Sequence, residues 1–124
     1  MPTLALDDIE LYYEVVGSGP RLLMFNGSGG SIETARQLVD ALAAHFQVLV
    51  HDQRALGRTT VPEHLATMAD YAADAAALLD HVGWPTARVF GISFGGMVAQ
   101  ELAIRHTGRV KKLVLACTRT PSGR

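Results

Sequence analysis

A chain of 124 residues, 48% hydrophobic and 19% charged, has the balance of one globular domain with a core and little surplus. A formal net charge of −1 gives no electrostatic reason to expect nucleic acid or an anionic membrane as partner. A single cysteine, Cys117, excludes an internal disulfide framework and any cysteine-based zinc site, and no metal or cofactor is expected.

The opening residues MPTLALDDIELYYEV lack the basic and apolar regions of a signal peptide. No apolar run approaches the ~18–20 residues of a membrane span. The expectation is a cytoplasmic protein, consistent with its cysteine usage. Thr3–Leu6 and Ile9–Val16 read as two short strands around Asp7-Asp8. In the second, Leu11, Tyr13 and Val15 alternate with Tyr12 and Glu14, which predicts one half-exposed face. Gly17-Ser-Gly-Pro20 is a loop by its turn chemistry. Arg21–Phe25 is a continuously apolar strand of the kind buried on both faces of a parallel sheet.

The glycine-rich loop Asn26–Ser31 leads to a helix predicted over 32–44. Phe46–Val50 is the next buried strand, His51–Thr60 a polar loop, and Met68–His81 a helix rich in alanine and leucine. Ala87–Phe90 is a third buried strand and Phe94–His106 a third helix. Val110–Cys117 is the last strand, followed by a loop over 118–124. Strands alternating with helices indicate βαβ units, hence a mostly parallel sheet with helices on both faces after an antiparallel pair. Active sites in such α/β sheets lie at the carboxyl ends of the strands. The three chemically unusual loops all lie there.

The first of these is Gly91-Ile-Ser-Phe-Gly95. A strand turning abruptly into a helix strains its junction residue, and glycines two positions either side remove side chains that would collide. The Ser93 hydroxyl then stands above the sheet beside a helix N-terminus that favours developing negative charge. The second is Asn26-Gly-Ser-Gly-Gly-Ser31. Acyl transfer needs two N–H donors at the oxyanion; the candidates are the Phe94 N–H and the Ser28 N–H. A plain flexible turn remains open for this loop, while a P-loop would need a lysine that is missing. The third, His51–Thr59, offers Asp52 and Arg54, read as structural groups bonding loop backbone and each other. His51 is no favoured base, because its strand is not expected to adjoin that of Ser93.

With NGSGGS, DQRALGRT and GISFGG in the family's order and spacing, the chain resembles the N-terminal half of an α/β-hydrolase. GISFGGMVAQELAIRHTGRVKKLVLACT is most similar to the 3-oxoadipate enol-lactonase and small-esterase branch. Two departures stand out: Asn26-Gly27 where the family has His-Gly, and Ala55 where it favours glycine. The resemblance implies a serine hydrolase in which nucleophile, acid and histidine follow in that chain order.

Beyond Ser93 the only acidic residue is Glu101 and the only histidine His106. At ~1.5 Å per helical residue they lie roughly 12 and 20 Å along the helix, against the ~3 Å a hydrogen bond allows. Upstream, His45 and His81 sit at helix C-termini, and His64 has no evident partner. The expectation is a truncated α/β-hydrolase sheet of about six strands without its C-terminal strands, cap, acid and base, inactive or weakly active alone. Its site comprises Ser93 as nucleophile, Phe94 and Ser28 N–H groups, and the supporting Asn26, Gly27, Gly91 and Gly95, acting on a small-molecule ester or lactone. The edge Val110–Cys117 is expected to pair with a second copy or a C-terminal complement. Two alternatives stay open: a non-catalytic half-domain serving binding or assembly, and a cofactor-free haloperoxidase, perhydrolase or C–C bond hydrolase of the same fold.

Overall fold

The computed structural model describes residues 3–6, 10–26, 32, 35–52 and 67–116. Six strands form one sheet: β1 (Thr3–Ala5), β2 (Glu10–Val16), β3 (Arg21–Phe25), β4 (Gln47–His51), β5 (Ala87–Ile92) and β6 (Val110–Ala116). Their order is β1-β2-β4-β3-β5-β6. β1–β2 and β2–β4 pair antiparallel, while β4, β3, β5 and β6 run parallel. The expected class is therefore realised, with the antiparallel pair at one edge.

Among the described residues three α-helices cover the two faces: α1 (Arg36–Ala43), α2 (Met68–Val82) and α3 (Phe94–Arg105). On one side Met24, Val48 and Val50 meet Ile32 and Val39 in a core closed by α1. On the other, Leu23, Phe25, Leu49 and Val89 pack with Ala75, Leu79, Val98, Ala99 and Leu102 of α2 and α3. Strands β3 and β4 are buried almost throughout because both of their faces are covered.

Local chemistry sets the limits of α2. Thr67 Oγ1 accepts the Asp70 N–H at 3.2 Å, and an Asp70 carboxylate oxygen accepts the Thr67 N–H at 2.8 Å, a reciprocal capping box. Gly83 ends the helix at φ 78°, and the Trp84 N–H donates to the Leu79 carbonyl at 2.9 Å.

Three sequence expectations need correction. α1 begins at Arg36 rather than 32, and its first residue is held by tertiary contacts: Arg36 bonds both carboxylate oxygens of Glu14 on β2, at 2.8 and 3.1 Å. β2 does not alternate as read. Tyr12 is buried and Val15 is 42% exposed, because Tyr12 joins the α1-side core and donates its hydroxyl to Glu14 at 2.6 Å. β5 runs to Ile92, past the expected Phe90, because Gly91 and Ile92 keep pairing with Leu115 and Ala116 of β6. Consequently strand pairing reaches the residue immediately before Ser93.

Candidate active site

The chain places β4 and β5 on opposite sides of β3, so the direction of winding reverses at the carboxyl end of β3, where open α/β sheets carry their sites. Asn26 follows β3 and Ser93 follows β5 at that end. Ser93 adopts φ 53°, ψ −118°, and among the described residues no other non-glycine has positive φ. Such a conformation costs roughly 1–3 kcal/mol and persists only when its surroundings impose it. Here they do. The Ser93 N–H donates to the Ala116 carbonyl at 2.9 Å, and the Ser93 carbonyl accepts from Gly96 and Met97 N–H groups at 3.0 and 3.3 Å. One side of the serine is thus tied to β6 and the other starts α3.

The flanking glycines are required by contact. A Cβ on Gly91 would lie 2.7 Å from the Gly95 carbonyl oxygen and from the Gly96 Cα. A Cβ on Gly95 would run into the carbonyl groups of Asn26 and Phe25. That second clash shows how tightly the start of α3 packs on the end of β3, which brings the Asn26 loop onset against the elbow. Asn26 itself is buried.

Phe94 stands first in α3, and its ring meets Tyr71 of α2 edge-on at 5.2 Å, which fixes the helix start. Its N–H falls within the first turn, where helical donors have no intrahelical acceptor. The structure therefore brings together Asn26, Gly91, Ser93, Phe94 and Gly95. Gly27 and Ser28, the other sequence-predicted positions, lie outside the described residues, as do His64, Arg54 and Cys117.

His51 and Asp52 behave as structural groups. The His51 ring is fully buried against Phe25, edge-on at 5.5 Å, and β3 separates its strand from β5. Desolvation lowers its pKa from 6.5 to about 4, so the imidazole is neutral at pH 7. Asp52 accepts the Ile32 N–H at 2.7 Å and donates its own N–H to the Tyr12 carbonyl at 3.0 Å. Sequence reasoning anticipated such a role for Asp52 but missed its particular donor, twenty residues upstream.

Glu101 is engaged by Arg105 one turn on, and His106 caps the far end of α3. His81, in the last turn of α2, packs edge-on against Tyr13 at 5.7 Å. Among the described residues no group of three or more His, Cys, Asp or Glu could hold a metal ion, and no helix is long and apolar enough to cross a membrane.

A sheet of this order, with a strained serine between glycines at the switch point, has the architecture of the α/β-hydrolases. The family described as alpha/beta hydrolase fold matches residues 20–123, and the chain belongs to it. RutD of Azorhizobium caulinodans, a carbamate hydrolase by name, is 35% identical over 115 residues, covering 93% of this chain and 43% of its own length. A non-heme haloperoxidase of Rhodococcus erythropolis is 35% identical over 113 residues, 90% of this chain and 41% of its own. The crystal structure of the enol-lactonase from Burkholderia xenovorans aligns with a TM-score of 0.87 at 30% identity, covering 94% of this chain and 46% of that one. The chain thus spans less than half the length of these relatives.

Proposed function

We propose that this chain carries the nucleophile and oxyanion-binding half of a serine hydrolase acting on a small ester or lactone. The observation that carries the reading is Ser93 at φ 53°, held between a paired strand and a helix start. In this role the Ser93 hydroxyl oxygen attacks the substrate carbonyl, and the hydroxyl proton passes to a base. The carbonyl oxygen, now negatively charged, is received by the Phe94 N–H and by an N–H of the Asn26–Ser31 loop, that of Ser28. Collapse expels the alcohol or opens the lactone, leaving an acyl group on Ser93 that water removes.

Of the acidic residue and histidine that follow Ser93, Glu101 is paired with Arg105 and His106 stands at the far end of α3, and the chain spans less than half the length of its relatives. The proposal therefore assigns acid and base to a C-terminal complement docked along the edge strand Val110–Cys117, the same edge through which a second copy could pair. In this proposal the Phe94 and Ser28 N–H groups stabilise the oxyanion, and activation of the nucleophile falls to the complement.

A trial with p-nitrophenyl acetate at pH 9, where solvent base replaces the histidine, tests this assignment. Mass spectrometry should find the acetyl group on Ser93 in the folded chain and none after Ser93→Ala. Acetylation spread over the lysines, with Ser93 unmodified, would contradict it. A second reading, a cofactor-free haloperoxidase or perhydrolase using the same Ser93, draws on the 35% identity to the Rhodococcus erythropolis protein. Peroxide-dependent bromination abolished by Ser93→Ala would select it over hydrolysis.

A further inference from the structure

At the amino end of the parallel sheet, opposite Ser93, lies a cavity of about 290 Å³ whose wall includes Pro20, Arg21, Thr86, Arg88 and Lys111. Its described lining holds three of the chain's 11 lysines and arginines and none of its 12 aspartates and glutamates. This concentration stands out because the chain as a whole has a net charge of −1.

The other described arginines each have a carboxylate: Arg36 at Glu14, Arg105 at Glu101 and Arg109 at Asp80. Arg21 and Arg88 have none among the described residues. Arg21 is nonetheless held in place, its guanidinium 5.4 Å from the ring centre of the buried Trp84. Arg88 stands directly opposite Lys112 in the β5–β6 ladder, an arrangement of like charges that opposes pairing. Ala87 pairs with Val110 and Arg88 with Lys112, so Lys111 is an extra residue in β6, at an irregularity of the kind that re-aims a side chain. Uncompensated cations are thus gathered around a concavity, and a bound anion would relieve their mutual repulsion.

We propose that this cavity binds a small phosphate-class anion from solution, at a site separate from the proposed nucleophile. Five steps along the chain lead from Arg88 to Ser93, roughly 16 Å at ~3.3 Å each. The site owes nothing to the hydrolase reading and stands or falls without it.

Inorganic pyrophosphate is the probe, titrated into the folded chain with sodium chloride matching ionic strength in the reference. Amide resonances of Thr86, Ala87 and Lys111 should move and saturate, and Arg88→Gln should weaken binding about tenfold, the worth of one charge-assisted bond. Lys111→Gln, at an exposed position, serves the same purpose should Arg88→Gln fail to fold. Arg105→Gln, whose side chain is paired with Glu101 and does not line the cavity, should bind as the original chain does. Shifts that never saturate, or affinity unchanged by both Arg88→Gln and Lys111→Gln, would overturn the site. Binding to phosphatidate vesicles without binding to pyrophosphate would also overturn it, because the phosphate would then be read on a lipid surface.

Discussion

Ser93, Gly91 and Gly95 form one steric unit, and substitutions there separate backbone strain from collision. Gly83 has φ 78° but a Cβ on it would meet nothing within 4 Å, so Gly83→Ala should cost only the left-handed conformation, about 1 kcal/mol. Gly95→Ala, by contrast, drives a methyl into two backbone carbonyl groups and should cost about 3 kcal/mol or prevent folding. Urea unfolding of the two variants provides the comparison, and equal losses would contradict the steric account.

His51 makes a second residue-scale prediction. Unfolded, its imidazole takes a proton near pH 6.5; folded, it resists protonation down to about pH 4 because burial removes its water. The unfolded state therefore binds more protons as pH falls below 6.5, and stability falls with it. The contribution is fully present above pH 6.5 and is lost progressively toward pH 4, a total of roughly 3 kcal/mol. His51→Leu should flatten that part of the stability profile, measured by urea titration at several pH values. An unchanged slope would show that other groups control the acid limb.

At the scale of elements, the capping box accounts for the start of α2, so Thr67→Ala should destabilise by about 1 kcal/mol, with Gly or Asn partly restoring it. Thermal unfolding followed by far-UV circular dichroism checks this. Elements of this kind were legible in the sequence. RLLMF and the alternation of apolar runs with helices pointed to the parallel sheet, and GISFG to a strand–turn–helix junction. The start of α1 was not legible, because the Arg36–Glu14 pair joins residues 22 apart. Nor was the burial of Tyr12, which depends on α1 covering that face. The site divides in the same way: Gly91, Ser93 and Gly95 announce their geometry through local sterics, whereas the Asp52 bond to Ile32 is known only once the loops are folded together.

For the whole molecule, β6 is the informative boundary. Among the described residues it is a sheet edge, and Leu113, Val114 and Leu115 are 37%, 55% and 38% exposed. Lys111 and Lys112 guard only its first part, leaving an apolar tract with unpaired backbone groups. The proposed docking along this edge predicts association of the chain at micromolar concentration, measured by sedimentation equilibrium. Val114→Lys should shift it toward monomer while leaving the fold intact. A strictly monomeric original chain would contradict edge docking but leave the Ser93 assignment standing.

The central claim is that the fold makes Ser93 a reactive hydroxyl, and covalent labelling with a fluorophosphonate tests it most directly. At pH 9 the folded chain should be modified at Ser93, identified by peptide mapping, at a rate well above that of the urea-unfolded chain, and Ser93→Ala should abolish the signal. Equal labelling of folded and unfolded chains, or modification elsewhere with Ser93 untouched, would contradict the account.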